Sequence, residues 1–129
     1  MVLVDIESHR IKSGGSLIAS QWVLTAARDV FRVFNNDDLY SIKVILGEDD
    51  ISTRKDSKII RKEIKVEKII PHEDYVGEKT TEENDIALLK LSEKVNLNIY
   101  TPICLPNVDD DFTGKTAWAY GKKSELSFV

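Results

Sequence analysis

Short apolar runs separated by turn residues limit what this chain can fold into more than any other feature of its sequence. The runs are rich in β-branched and aromatic residues, and Gly, Asn, Asp and Pro separate them, which is typical of strands joined by turns. We predict six strands: Val2–Ile6, Gly15–Ala19, Trp22–Thr25, Tyr40–Gly47, Lys58–Ile70 and Ile86–Leu91. Six such strands normally close into a small barrel, because closure leaves no strand edge exposed. The predicted fold class is therefore all-β, a six-stranded antiparallel β-barrel.

Basic residues concentrate between Arg54 and Lys68, where they alternate with Ile and Val. In the second half of this segment Ile64, Val66 and Ile69 stand among Lys and Glu, as in a strand with one solvated face. The whole chain has a net charge of -4, which repels phosphate backbones. We therefore interpret the basic cluster as a solvated strand face and expect no nucleic-acid partner.

The sequence changes in character after Leu91. Residues 92–114 are mostly polar and contain two of the three prolines, which is typical of an extended connector. One more apolar strand, "KTAWAYG", follows at 115–121 with no obvious strand to pair with. We divide the chain into a barrel over 1–92 and a connector with one extra strand over 93–129. Because an unpaired strand invites pairing, self-association through residues 116–121 is one expected interaction.

A single cysteine and the first ten residues bear on the cellular compartment. Cys104 cannot form a disulfide within the chain, so either the environment is reducing or the partner thiol lies on another chain or a missing segment. The opening "MVLVDIESHR" has neither the basic start nor the long apolar centre of a secretory signal. No apolar run approaches the ~20 residues of a membrane helix, so we expect no membrane partner.

Six short segments occur in an order that resembles a known family. They are "SGGSLIASQWVLTAA", "VILGEDDI", "VEKIIPHEDY", "NDIALLKL", "ICLP" and "AWAYG". In sequence and spacing they resemble the first half of a trypsin/chymotrypsin-type serine protease domain, from about Val2 to Gly121. The resemblance implies two six-stranded β-barrels with the active site in the cleft between them. This chain would then hold the first barrel, the connector and the opening strand of a missing second barrel.

The strand in "WVLTAARDV" ends where the family carries its catalytic histidine. By the resemblance, Arg28 stands at the histidine position and Asp29 at that of the next cysteine, in what we expect to be a short turn. Arginine stays protonated at physiological pH, so it cannot replace imidazole as a general base. Asp85, in "NDIALL", matches the catalytic aspartate but has no histidine to orient; an ordinary turn residue is the alternative. Because the matched positions are hydrogen-bonded neighbours in the family, we predict an ion pair between Arg28 and Asp85.

No nucleophile is identified in the sequence. The Gly-Asp-Ser-Gly-Gly segment that carries the family's serine belongs to the second barrel and does not occur in this chain. Ser13 and Ser16, in "SGGS", resemble it only superficially, because by the resemblance they open a first-barrel strand and have no nearby base. His72 is interpreted as a surface-loop residue, and His9 and His72 without cysteine partners make no zinc site.

The resemblance also bears on disulfides. The family usually has a cysteine before Gly-Gly that bonds to the one after the catalytic histidine, and Ser13 and Asp29 stand at these two positions. We interpret the joint loss of both cysteines as a stable feature of a sequence that no longer holds this loop tightly. Loss of a disulfide that closes a loop of about 15 residues lowers the free energy of unfolding by about 3 kcal/mol. Cys104, in "PICLP", matches a position that in several members bonds to the propeptide or light chain; a free buried thiol is the alternative.

Some members of the family bind calcium in the loop that resembles "GEDDISTRKDSK". Glu48 and Asp50 match acidic positions at its start, but Lys55 and Lys58 fall near the later ones. Calcium needs several oxygen ligands, and a nearby ammonium group opposes its binding. We therefore expect no metal and no other cofactor.

The sequence leaves two main functional hypotheses and a third possibility, an assembly in which another chain supplies the missing barrel. The first is a non-catalytic serine protease homologue or fragment that acts, if at all, by binding a protein, as a cofactor, decoy or regulator of proteolysis. By the resemblance, its partner is a protease or a protease substrate and its location is extracellular. The alternative is a partial sequence of a trypsin-like serine endopeptidase whose second barrel is missing. Neither hypothesis gives this chain peptidase activity, because Arg28 replaces the histidine and the nucleophile segment is absent.

Overall fold

The computed structural model describes residues 2–47, 60–77 and 82–119. Its strands are β1 (Val2–Ile6), β2 (Ile11–Ala19), β3 (Trp22–Thr25), β4 (Ile42–Leu46), β5 (Lys62–Pro71) and β6 (Ala87–Leu91). An α-helix, α1 (Ala27–Asn35), follows β3, and two short 3-10 helices span Glu7–His9 and Leu39–Ser41. Within these ranges we find no helix that combines the length and the apolar character needed to cross a membrane.

The six strands form a closed barrel. Their order is β1-β2-β3-β6-β5-β4, and β4 pairs with β1 to complete the ring. Every neighbouring pair is antiparallel. Closure removes the exposed strand edges that an open six-stranded sheet would leave. The predicted fold class, an all-β six-stranded antiparallel barrel, is confirmed.

Alternating side chains fill the interior of the barrel. In β6, for example, Ala87, Leu89 and Leu91 are buried, whereas the two residues between them are partly exposed. This period of two is what a strand with one face inside a barrel requires. Gly15 in β2 allows Val23 to pack closely against the backbone, since a Cβ atom at residue 15 would lie 3.0 Å from Cγ1 of Val23. The "SGGS" segment therefore has a structural reason for its second glycine.

Strand β5 is the longest strand that the structure describes, and it has the solvated face that its sequence predicts. Ile64 and Val66 are buried, while the residues between and beside them are partly or fully exposed. The register with β6 shifts between Val66 and Lys68, and such an irregularity bends a strand. The strand begins at Lys62 rather than at the predicted Lys58; the predicted start lies outside the described residues.

The boundaries of the other strands follow from their pairing. β1 and β3 have the predicted limits, and β6 starts one residue later, at Ala87. β2 starts four residues earlier than predicted, because Ile6 of β1 pairs with Ile11 and the ladder extends to the connecting turn. β4 starts at Ile42 instead of Tyr40, since a 3-10 helix occupies the residues before it.

A strap formed by residues 92–103 fastens the connector to the barrel. Val95 is 5% exposed and belongs to the hydrophobic core, and its N–H donates to the carbonyl of Ser20 over 2.8 Å. Further along, the Tyr100 hydroxyl donates to the Ile60 carbonyl at 2.5 Å, and the Ile103 N–H donates to the Leu17 carbonyl at 2.8 Å. The connector therefore lies along the barrel as far as Ile103.

The extra strand predicted at 115–121 does not form over residues 115–119. A strand needs a hydrogen-bonded neighbour, and no strand in the described part of the chain pairs with this segment. Residues 120 and 121 lie outside the described ranges.

Candidate functional site

Helix α1 occupies the place where the sequence predicted only a short turn, so that prediction is wrong. Ala27, Val30 and Val33 are the buried residues of the helix. Their spacing of three places them along one face, which packs into the hydrophobic core. The helix starts directly after β3, and Arg28 and Asp29 therefore lie in its first turn.

Asp85 caps the start of α1 from a distant part of the chain. The residue before the helix, Ala26, has no side-chain oxygen to accept the first N–H groups. Oδ1 of Asp85 accepts a hydrogen bond from the backbone N–H of Arg28 at 2.7 Å. A carboxylate at this end of a helix both satisfies a free N–H group and interacts favourably with the helix dipole. The side chain of Asp85 is 15% exposed, so the capping carboxylate is partly buried although Arg28 beside it is open to solvent.

Arg28 and Asp85 form the predicted ion pair. Nε of Arg28 lies 3.6 Å from Oδ2 of Asp85. This distance is short enough for an ion pair but too long for a strong hydrogen bond, so the guanidinium does not make a two-point hydrogen-bonded contact with the carboxylate. The Arg28 side chain remains 60% exposed. The site thus presents a fixed positive charge to solvent and holds no proton acceptor at this position.

A hydrogen bond joins the two positions at which the resemblance predicted a lost disulfide. Oγ of Ser13 in β2 donates to Oδ2 of Asp29 in α1 at 2.6 Å, in a partly buried contact. A polar contact therefore connects the same two elements, and the interpretation that the sequence no longer holds this loop tightly stays a prediction. The contact also places a carboxylate beside the Ser13 hydroxyl, which the sequence did not reveal. A carboxylate is a weaker base than imidazole, so this contact does not make Ser13 a nucleophile.

Aromatic packing holds the loop of residues 72–77, which follows β5, against α1. The rings of Phe31 and Tyr75 meet edge to face with centroids 4.9 Å apart. Gly77 has a φ of +72°, and a Cβ atom there would lie 2.8 Å from Cε1 of Phe31. Sequence reasoning did not select these three residues, because only the helical position of Phe31 brings them together.

The charged groups of the site also affect Tyr75. Burial raises the pKa of its hydroxyl, and the Asp85 and Asp29 carboxylates raise it further, while Arg28 opposes them. The neutral phenol is therefore the favoured form. Tyr75 thus belongs to the same electrostatic environment as Arg28 and Asp85.

His72, His9 and Ser16 form no side-chain hydrogen bond with Arg28 or Asp85 in the described part of the chain, although the His72 N–H donates to the carbonyl of Ile86, the residue after Asp85, at 2.9 Å. His72 is exposed as predicted, and its Nδ1 accepts a hydrogen bond from the Asp74 N–H at 3.1 Å. His9 is bonded to the neighbouring Ser8 at 2.7 Å. Ser16 pairs with Leu24 in the β2–β3 ladder.

Cys104 is exposed, so the interpretation as a buried thiol is wrong. A bond between Cys104 and another chain stays a prediction. The four residues compared with the family's calcium loop, Glu48, Asp50, Lys55 and Lys58, lie outside the described residues. Within the described ranges, no group of three or more His, Cys, Asp or Glu side chains is arranged to hold a metal ion.

Comparison with known proteins identifies the family to which this barrel and its site belong. The Trypsin family model matches residues 1–127. The chain belongs to the trypsin family. Within this trypsin-family chain, Arg28 and Asp85 occupy neighbouring positions at the start of α1, as the resemblance implied for the histidine and aspartate.

Curated relatives include proteases and an inactive member. The chain is 39% identical over 112 residues to serine protease filzig of Drosophila melanogaster, covering 85% of this chain and 6% of that protein. It is 39% identical over 109 residues to serine protease SSP1 of Scolopendra subspinipes, covering 84% and 36%. It is 38% identical over 109 residues to the inactive CLIP domain-containing serine protease A28 of Anopheles gambiae, covering 84% and 27%. The trypsin-family chain therefore spans about a third or less of these relatives.

Proposed function

We propose that this trypsin-family chain is non-catalytic and acts outside the cell by binding another protein, as a cofactor, decoy or regulator of proteolysis. The observation that carries the proposal is Arg28, a permanent cation paired with Asp85 at 3.6 Å where the resemblance places a general base. A guanidinium cannot take a proton from a serine hydroxyl at any physiological pH. The inactive relative from Anopheles gambiae supports the proposal, because it shows that the family contains proteins described as inactive.

The surface best suited to binding surrounds the start of α1. Arg28 is 60% exposed there, and the nearby loop and helix expose Val76 and Phe34 at 61% and 45%. The contact between Phe31 and Tyr75 fixes this loop to the helix. A preorganised loop on a rigid barrel is a common site of protein recognition. Its chemistry fits a partner with an acidic group beside an apolar side chain, and we propose a protease or a protease substrate.

Catalysis is tested with a fluorophosphonate probe and a peptide-hydrolysis assay. The purified chain, its Arg28→His variant and its Ser13→Ala variant are compared with an active trypsin-family protease. We expect no labelling and no turnover from any of the three chains, since none has an activated serine. Turnover by the unmodified chain that disappears in Ser13→Ala would overturn the non-catalytic assignment.

Binding is tested by calorimetric titration of the chain with active trypsin-family proteases and their protein substrates. We expect Arg28→Ala to weaken the observed complex at least about tenfold, as for a central interface residue. Lys65→Ala is the matched control, because Lys65 is also an exposed basic residue but lies six residues along β5 from Pro71, which is aligned through Ala87 with the end of β3 before α1. Equal affinities for all three chains would show that the complex uses another surface, and absence of any complex would contradict the proposal.

The second candidate function is that of a partial serine endopeptidase. It is favoured by the coverage of the relatives, since the chain matches only 36% of serine protease SSP1. The test is to sequence the transcript beyond this chain and assay the complete product. A downstream Gly-Asp-Ser-Gly-Gly segment together with turnover would support this candidate. A downstream segment without turnover would support the non-catalytic proposal, because Arg28 blocks the general-base step.

A further inference from the structure

The turn between β1 and β2 holds an arginine in a backbone conformation that favours glycine. Arg10 has a φ of +52° and directly follows the 3-10 helix Glu7–His9. Its N–H donates to the Glu7 carbonyl at 3.2 Å. The left-handed region is unfavourable for most side chains, and asparagine and aspartate tolerate it best after glycine. Residues held in this way are concentrated at sites that bind a ligand or a partner.

The side chain of Arg10 gives the turn no contact that would explain its presence. It is exposed, and so are the next two side chains, Ile11 at 39% and Lys12. Neither cation makes an ion pair or a side-chain hydrogen bond in the described part of the chain, although Lys12 stands opposite Asp5 in the ladder of β1 and β2. We call residues 8–12 the tip. The tip thus presents two cations on either side of an exposed apolar residue.

The acidic groups beside the tip are already paired with other cations. Nζ of Lys43 lies 3.9 Å from a carboxylate oxygen of Asp5 and 3.0 Å from one of Glu7. Glu63 lies 3.6 Å from the same Nζ and 2.8 Å from Arg61. Three carboxylates therefore meet two cations here, and the two cations of the tip give the whole group a positive net charge. A partner at the tip meets positive charge.

Asp37 and Asp38 limit the size of an acidic partner. They precede β4, whose first residue, Ile42, pairs with Ile6 at the end of the barrel that also carries the tip. Their charges repel a long polyanion that extends beyond the tip. A short acidic segment of a protein, with an apolar side chain to meet Ile11, therefore fits better than a sulfated polysaccharide or a nucleic acid.

The tip lies at the end of β2 that is remote from the strap. The strap bonds to the carbonyl groups of Leu17 and Ser20, and Leu17 is six residues from Ile11, or about 20 Å along a strand. All residues of the tip belong to the first hairpin of the barrel. The arrangement of its charges is therefore set by the barrel itself.

We propose that the tip binds a short acidic segment of another protein, with Arg10 as the central cation. The segment places carboxylates against Arg10 and Lys12 and an apolar side chain against Ile11. Arginine suits this position, because its planar group can hold a carboxylate at two points. The proposal goes beyond the proposed function, since it assigns a contact region other than the surface around Arg28.

Binding is tested by titrating the isotope-labelled chain with the peptide acetyl-Glu-Glu-Leu-Glu-amide and following its backbone amide signals by NMR. We expect shifts at residues 8–12 and weaker binding with added salt. Arg10→Asn removes the charge and is expected to weaken binding about three- to fivefold, as for loss of one exposed ion pair. Lys94→Asn is the matched control with unchanged affinity, because it removes an exposed cation from the strap. Absence of binding, or equal affinities of the two variants, overturns the proposal.

Thermal unfolding of the same variants separates recognition from a structural role. Arg10→Asn is expected to unfold at or above the midpoint of the parent, because asparagine adopts the left-handed conformation more readily than arginine. A lower midpoint would show that Arg10 stabilises the turn, and it overturns the proposal. So does a loss of peptide affinity in Arg28→Ala as large as in Arg10→Asn, because the peptide would then occupy the surface around Arg28. Tighter binding of heparin than of the peptide also overturns it.

Discussion

Asp85 has a structural role that does not depend on a histidine. Its Oδ1 accepts the Arg28 N–H at 2.7 Å, so the carboxylate caps a helix whose preceding residue, Ala26, has no capping side chain. Loss of this cap would leave a free N–H group at the start of α1. The aspartate therefore contributes to the start of α1 without any histidine to orient.

Substitution of Asp85 measures this cap. Asp85→Ala is expected to lower the free energy of unfolding by about 1–2 kcal/mol, as other cap removals do. Asp85→Asn keeps an acceptor oxygen but removes the charge, so a smaller loss is expected. Urea denaturation of the three proteins gives the comparison. Equal stability of the alanine variant and the parent would show that the cap contributes nothing.

The stability of the chain should fall at alkaline pH because of Tyr75. Its pKa is raised above the ordinary value of 10.0, chiefly by burial and then by Asp85. Because the pKa of Tyr75 is higher in the folded than in the unfolded chain, its contribution to the free energy of unfolding is complete below about pH 10. That contribution is lost as the pH rises through the folded-state pKa. Urea denaturation at pH 8 and above pH 10 is expected to show a smaller loss for Tyr75→Phe than for the parent. An identical loss of unfolding free energy in both proteins would show that groups other than Tyr75 cause the fall in stability.

At the residue scale, the sequence was informative wherever two positions could be matched to the family together. The pair of Arg28 and Asp85 was predicted across 57 residues in this way. The hydrogen bond between Ser13 and Asp29 was not predicted. The family match shows that a disulfide is missing at these positions but does not show which contact replaces it. The residue types could have indicated this hydrogen bond, because a hydroxyl donor and a carboxylate acceptor stand at the two positions.

At the scale of elements, α1 was missed for two reasons. Its buried residues, Ala27, Val30 and Val33, are separated by three positions and include two valines, which favour strands in local propensity. Its cap comes from Asp85, far away in sequence, so no local start signal precedes the helix. The spacing of the buried residues was the signal that could have identified it.

The packing of the loop against α1 can be tested at Gly77. Gly77→Ala is expected to cost about 1–2 kcal/mol, because the residue has a left-handed backbone and its Cβ would collide with Phe31. The control is the same substitution in a Phe31→Ala background, which keeps the left-handed backbone of Gly77 but removes the ring that its Cβ would meet. Thermal unfolding of both variants gives the comparison. Equal effects would show that Phe31 does not restrict this position.

We predict that the contact between β2 and α1 can be converted into a disulfide. Ser13→Cys combined with Asp29→Cys, in a Cys104→Ser background, is expected to form a disulfide, because the two side chains already meet at 2.6 Å. For a loop of this size we expect a gain of about 3 kcal/mol in unfolding free energy. A reducing agent should remove the gain, and each single variant serves as a control. Free thiols after oxidation would show that the backbones are too far apart.

At the scale of the whole molecule, the barrel was predictable because alternating apolar residues and turn residues recur along the sequence. Alternation in β6 and the limits of β1 and β3 follow from side-chain period and turn residues alone. The strap was not predicted, since a polar segment gives no sign that a single residue, Val95, enters the core. Residues 104–119, the arm of the chain, differ again, because their apolar residues resemble a strand but have no strand to join in the described part of the chain.

Truncation tests where the cooperative unit ends. A chain ending at Ile103 is expected to unfold with the stability of the parent, because the described part of the arm makes no hydrogen bond to the barrel. A chain ending at Ser92 is expected to be less stable by more than about 1 kcal/mol, since it loses buried Val95. The second chain corresponds to the predicted boundary at residue 92, which stays a prediction. Equal stability of the two shorter chains would support that boundary.

The hydrogen bond between Ser13 and Asp29 makes the join between β2 and α1 independent of oxidation. A disulfide at this point would need an oxidant to form and would open in the presence of thiols. A hydroxyl donating to a carboxylate at 2.6 Å forms as soon as the chain folds and is indifferent to glutathione. The surface around Arg28 therefore keeps its shape equally well in a reducing and in an oxidising compartment.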